Sequence, residues 1–457
     1  MSERNDRAPD PGETSCAGAP KRALTLFDST AVIVGIIIGV GVYQNAPLIA
    51  RGAQGCWGLA ALWALGGLLS LCGALGYAEL ASAYPRQGGD YVYLSRAYGP
   101  WAGFLFGWMQ LAVVRPGDIA VMAFAFATYA RTLFDPLSGA DPALTQKLYA
   151  ASAVLALTAV NVAGVGAGKW TQNVLMAVKV LGVLAVVAVA LGSPHVPAAP
   201  AAAAAAEPFP AGVALILVLF AYGGWNEMAY VAAEVKDPDR NIVRALAWGT
   251  VAVMALYLAL NGAFVYGLGY AGLAASDAVA TEVVAAAFPA AAGRLVSALI
   301  CVSALGAVSG LIFTGARISF AAGADHRAFS LLGAWSAKTG TPVRALLVQG
   351  GLALGLVFAL GSFLEAILYT AAIVYLFYFA TSLALIVLRR KEPDVRRPYR
   401  VSGYPVTTLA FCATCLYLIA EAVKYRPLIS ACAAGVLLLG LPLYWATSRT
   451  GRRKGAE

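Results

Sequence analysis

Apolar segments close to twenty residues long recur from about residue 26 to residue 447, and nothing else constrains the fold as tightly. A helix of about twenty residues crosses the ~30 Å hydrocarbon core of a bilayer with its backbone polar groups paired internally. Hydropathy and helix breakers place spans near 26–50, 56–83, 100–130, 148–166, 171–192, 211–233, 242–268, 291–321, 342–360, 363–388, 404–423 and 427–447. The pattern predicts an all-α polytopic membrane protein with about twelve transmembrane helices. Charged residues make up 12% of the 457, about half the share usual in soluble domains. No ten-residue alternation of the outer-membrane β kind is present.

The net charge of +9 raises the question of nucleic acid, but the cations fall in particular loops. Loops after even-numbered spans carry Arg86 and Arg96, Lys169, Lys236 with Arg240 and Arg244, then Arg327, Lys338 and Arg344. Arg389-Arg390-Lys391 with Arg396, Arg397 and Arg400 follow, and Arg452-Arg453-Lys454 close the series. The opposite loops hold few: Arg51, Arg131, Lys147, Arg294, Lys424 and Arg426. By the positive-inside rule both termini are cytoplasmic. Residues 1–24 read as a flexible cytoplasmic tail, 193–210 as an external Ala/Pro connector and 448–457 as a second cytoplasmic tail. The cysteines, Cys412 and Cys415 included, show no metal spacing and suit packing inside apolar segments.

Two of the spans are interrupted. Gly39-Val40-Gly41 lies inside the first, and each interior Gly weakens a helix by roughly 1 kcal/mol relative to Ala. A break inside a membrane is tolerable where it lines a cavity, and it leaves N–H groups for an anion and C=O groups for a cation. Close approach of a neighbouring helix is the other use of such glycines. The sixth span repeats the pattern at Phe220-Ala221-Tyr222-Gly223-Gly224-Trp225-Asn226-Glu227. Interruptions at matching positions favour a transporter with two inverted five-helix repeats, about 25–192 and 211–388, followed by two further helices at 404–447.

Few residues suit chemistry. Lys179 stands among apolar neighbours in the fifth span, and placing it there costs about 2.5–3.5 kcal/mol on insertion scales, which points it at the bundle interior. There it can donate to the carbonyls freed by the first break; the alternative is a lysine reaching back to the interface. Glu227 can take up a proton, attract a substrate cation or pair with Arg115. In Arg115-Pro116-Gly117-Asp118, Pro116 should kink the third span and Asp118 can partner Arg115. Glu79, Glu365 and Glu421 read as interfacial. The two histidines, His195 and His326, fall in loops, so no His-based metal site or triad is expected. No Gly-Lys-Ser/Thr phosphate loop is present. Neither an enzyme nor a cofactor is indicated.

At these motifs the chain resembles the amino acid–polyamine–organocation superfamily, its L-type amino acid transporter group in particular. The likeness is carried by Gly35–Tyr43, by Phe220–Asn226, by Asp237-Pro238-Asp239-Arg240-Asn241 with Arg244-Ala245, by Arg115-Pro116, and by Arg397–Pro405. It implies a LeuT-like fold, alternating access and sodium-independent amino acid transport, usually of neutral L-amino acids by exchange. By position, N–H groups of Gly39, Val40 and Gly41 would hold the substrate carboxylate, and carbonyls of Ile37, Phe220 and Gly223 its amino group. Asn226 belongs to the same motif, the Phe220 ring would gate the site, and Lys179 would occupy a sodium-like position. Proton-coupled symport and a polyamine or cationic amino acid carrier, both given weight by Glu227, remain open, as does a sensor that binds without transport.

Val40 stands where a hydroxyl residue is usual, and Glu227 where animal members often have an aromatic one. The loop at about 131–147 has no cysteine, so no disulfide-linked heavy chain is expected. The remaining partners are the amino acid and the lipid bilayer of a plasma or bacterial inner membrane.

Overall fold

The computed structural model describes residues 22–452 apart from 138, 140, 194–208, 277 and 360–362, and the side chains of 363–369 and 448–452 are likewise outside the description. The expected N-terminal tail up to Lys21, the Ala/Pro connector with His195, the last five residues and the Glu365 side chain therefore lie outside the described residues.

Among the described residues ten helices are long and apolar enough to cross a membrane, and two shorter apolar helices, Ala211–Ala221 and Val343–Ala359, complete the twelve segments. The sixth is short because it breaks. The first span sits deepest, with 83% of its most apolar stretch buried, against 22% for the fifth and 17% for the twelfth.

The first span opens with a capping box. The Thr25 side chain accepts from the Asp28 N–H (3.2 Å), and the Asp28 carboxylate accepts from the Thr25 N–H (2.9 Å), a motif that satisfies two orphan donors. The helix runs over Leu26–Ile37, loses its hydrogen-bond ladder at Ile38–Val40, and resumes as Gly41–Gln44 and Ala46–Gly52. The sixth span runs over Ala211–Ala221 and resumes as Glu227–Tyr230. Gly224, in its break, has φ +112°, which L side chains avoid, and a Cβ there would lie 2.7 Å from Ile36 Cγ2. The two breaks thus touch through a glycine.

The third span has an irregularity of its own. Pro100–Met109 leads into a π-helical turn, Gln110–Val114, before Arg115–Leu133 continues with Pro116 in its first turn. The missing Pro116 N–H accounts for the interruption in the ladder.

The cation-rich loops converge at one end of the bundle. Leu24 and Val235 form a β-bridge there, with Leu24 N–H on the Glu234 carbonyl and Lys236 N–H on the Leu24 carbonyl, both at 2.8 Å. Lys169 pairs with Asp28 (3.1 Å), Arg96 with Glu392 (3.0 Å) and Arg396 with Asp239 (2.9 Å). Glu79 corrects the sequence expectation of an interfacial residue: it is fully buried beside Arg389 and Arg397 (3.4 Å) and accepts from the Val401 N–H (2.7 Å). Its helix end is covered by the folded-back Arg397–Pro405 stretch, which hydropathy does not reveal. Glu421 is partly exposed and pairs with Lys424 at 2.9 Å.

Candidate functional site

The two breaks face a common cavity of ≈120 Å³, roughly ten times the ~10–15 Å³ that one water needs. Ile37, Gly39, Gly41, Phe220, Gly223 and Glu227 all line it, together with Asp118, Met122, Leu311 and Tyr378. Of the sequence-derived candidates, Val40, Asn226 and Lys179 do not form its wall. Val40 is buried behind it, and Asn226 bridges Tyr230 (2.8 Å) and Tyr378 (3.0 Å), which places it in the supporting layer.

The freed backbone groups divide into used and unused. The Ile37 carbonyl accepts from the Gly39 N–H and from the Tyr257 hydroxyl, each at 2.7 Å. Tyr257, on the seventh span (Pro238–Ala275), also lies 3.1 Å from the Ala221 carbonyl and so caps the C-terminal ends of Leu26–Ile37 and Ala211–Ala221. Ser303 donates to the Ile38 carbonyl (2.9 Å), and the Phe220 carbonyl accepts from the Gly223 N–H (2.9 Å). The Val40 and Gly41 N–H groups donate to no backbone carbonyl among the described residues, and the Gly223 carbonyl accepts from no backbone N–H. Of these three, Gly41 and Gly223 belong to residues that line the cavity, and Val40 lies behind its wall.

Lys179 is fully buried and donates to the Gly35 carbonyl. Gly35 precedes the break, so its carbonyl lacks the usual i+4 donor; the Gly39 N–H has turned to Ile37. The interior reading of Lys179 holds, and the interface reading does not. Lys169, ten residues earlier, is the lysine at the bundle end.

Of the two partners open to Arg115, Glu227 and Asp118, the structure pairs it with Glu227. Arg115 Nη2 lies 2.8 Å from Glu227 Oε1, both nearly inaccessible, and Arg115 Nε donates to Gln110 Oε1 at 3.0 Å. The Arg115 guanidinium also covers the Tyr230 ring (5.0 Å), and Thr314 donates to the second oxygen of Glu227. Asp118 is therefore not the partner of Arg115. Both residues follow the π turn, whose extra residue rotates them together by about 100° relative to the helix before it, and Arg115 is directed at Glu227 on the sixth span and back to Gln110, not forward to Asp118. Asp118 faces the cavity.

Sequence reading missed several of these groups. Tyr257, Ser303 and Thr314 are common residue types in apolar helices and carry no signal of their own. Arg317, fully buried and bonded to Glu234 at 2.9 Å, did carry one: it is an arginine inside the eighth apolar run. Among the described residues no cluster of three or more His, Cys, Asp or Glu could hold a metal ion.

Comparison with known proteins meets this geometry. The family described as amino acid permease matches residues 24–428. The chain is 32% identical over 463 residues to the human large neutral amino acids transporter small subunit 2, covering 96% of this chain and 83% of that protein. It is 31% identical over 388 residues to the mouse b(0,+)-type amino acid transporter 1, covering 83% of this chain and 79% of that one. These are transporters and not enzymes. With its first and sixth helices broken, the chain has the LeuT-like arrangement of two five-helix repeats, and it belongs to the amino acid permease family of the amino acid–polyamine–organocation superfamily, as an integral membrane transporter of amino acids.

Proposed function

We propose that the chain exchanges L-amino acids across a plasma or bacterial inner membrane by alternating access, without sodium, and with both termini cytoplasmic. The observation that carries this reading is the meeting of the two helix breaks at one cavity. In this reading the substrate carboxylate takes the N–H groups around Gly39, Val40 and Gly41, with Val40 and Gly41 the unencumbered donors. The amino group takes the carbonyl side, where Gly223 is open, Phe220 accepts from the Gly223 N–H, and Ile37, which already accepts from the Gly39 N–H and the Tyr257 hydroxyl, would share its oxygen. The Phe220 ring closes over the occupant, and Asn226 holds Tyr230 and Tyr378 behind it.

Sodium independence is supported by Lys179, whose ammonium already lies on the Gly35 carbonyl where a bound cation would otherwise be useful. The wall is mostly apolar, with Met122, Ile216, Leu219, Leu311 and Val374 suited to an aliphatic side chain. Large neutral amino acids, the class for which the human relative is named, are the first to test. No disulfide-linked partner is part of the proposal, since the segment at 131–147 offers no cysteine.

The test is uptake of labelled leucine into sodium-free liposomes containing the purified protein. Exchange predicts uptake into liposomes preloaded with unlabelled amino acid and little into empty ones. Uptake into empty liposomes driven by an inward proton gradient would replace exchange by symport. Binding without any uptake would replace transport by sensing.

A further inference from the structure

We propose that Asp118 is a side-chain subsite for a cation, and that the substrates held best are basic amino acids, with an ammonium or guanidinium at the end of an aliphatic stem. The inference rests on the reading of the cavity as an amino acid site and specifies its side-chain end.

Charge balance around the cavity singles out one side chain. Three ionisable side chains meet around the cavity: Arg115, Glu227 and Asp118. Arg115 and Glu227 are used on each other at 2.8 Å, and Gln110 and Thr314 engage further polar atoms of the pair. Asp118 makes no hydrogen bond and no ion pair with any described residue. It is partly accessible, and the cavity is the space it lines.

With the Arg115–Glu227 pair cancelling, an ionised Asp118 would be the one uncompensated charge facing a wall of Met122, Leu219, Leu311 and Val374. Lys179 is held on the Gly35 carbonyl and does not reach this wall. An unpaired carboxylate in such surroundings is costly unless a cation or a proton joins it. A zwitterion with a neutral side chain displaces water from the cavity and brings no net charge. A lysine or arginine brings the missing positive charge, on a stem that suits the apolar wall. The same carboxylate works against an acidic side chain by like-charge repulsion.

The experiment compares lysine with norleucine, which has a linear aliphatic side chain and no ammonium, as competitors of labelled leucine exchange in sodium-free liposomes; arginine and glutamate complete the panel. Lysine and arginine are expected to compete at least tenfold more strongly than norleucine, and glutamate not at all. In Asp118→Asn the ratio of lysine to norleucine potency should fall to about one. Equal potency of lysine and norleucine in the unaltered protein overturns the inference without any variant, and so does a tenfold preference that survives in Asp118→Asn. Leucine uptake stimulated by acid, with lysine inert, also overturns it, because a proton would then be the cation that Asp118 takes. If no amino acid of any class is exchanged, the reading of the cavity itself fails.

Discussion

The Tyr257 hydroxyl donates to the Ile37 carbonyl at 2.7 Å and lies 3.1 Å from the Ala221 carbonyl. One side chain from the seventh span thus serves the cut ends of two helices. Removing it leaves a buried acceptor short of its donor, which costs about 1–3 kcal/mol. Tyr257→Phe keeps the ring between Trp63 and Tyr222, so the loss should be that of the hydroxyl alone. Thermal unfolding in detergent should show a lower midpoint for Tyr257→Phe, with the fold retained by circular dichroism.

The Arg115–Glu227 pair calls for a double-mutant cycle. Leaving one member of a buried ion pair without the other costs about 3–5 kcal/mol, whereas removing both charges is often close to neutral. Arg115→Met and Glu227→Gln should each destabilise the protein, Arg115→Met more, because Gln still accepts from Thr314. The double variant should recover most of the loss. Chemical unfolding of the four proteins measures the coupling, and additive losses would mean that the two charges do not interact.

Gly224 sets a steric test. Alanine there meets both an unfavourable φ of +112° and Ile36 Cγ2 at 2.7 Å. Strain of this kind costs about 1–3 kcal/mol. Adding Ile36→Ala to Gly224→Ala removes the 2.7 Å contact and leaves the backbone strain with the milder contacts at 3.3 Å to Ile36 Cβ and Ile37 N, so stability should return in part and no further. Full recovery would show that φ at 224 is of no consequence.

Outside the membrane spans, Glu392 gives a prediction for acid. Burial pushes its carboxyl upward, but hydrogen bonds from Arg96 and Tyr84 more than offset this and hold it below the ordinary glutamate value. A depressed folded-state value means stabilisation that is complete above the unfolded-state value and fades as pH falls through the folded one. Unfolding midpoints of the unaltered protein and Glu392→Gln should therefore differ at neutral pH and converge on acidification below the ordinary carboxylate range.

Much of this arrangement was legible in the residues. Twenty-residue apolar runs gave the spans, because a bilayer leaves the backbone no other choice, and paired glycines gave both breaks. Lys179 was legible because an ammonium in that run had few places to go. The Arg115–Glu227 pair was only one of several options, since the π turn that rotates Arg115 depends on how a proline is accommodated inside a packed bundle. A pair of Asp118 with Arg115, three residues earlier on the same helix, was another of those options. The burial of Glu79 could not be read because its partners, Arg389 and Arg397, lie more than three hundred residues away in sequence.

The contact of Gly224 with Ile36 has a mechanical consequence. Together with the Leu24–Val235 bridge and the shared Tyr257 cap, it fastens the first and sixth helices at mid-height and at one end. Such a pair has little freedom to slide or tilt internally, so the hinge of any opening movement is expected outside it. Among the bonds that join the pair to its surroundings are those of Glu227 to Arg115 and Thr314, of Gly35 to Lys179, of Ile38 to Ser303 and of Asn226 to Tyr378. A guest seated between the breaks would then keep the same backbone contacts whichever side of the membrane is open, and only the walls around it would trade places.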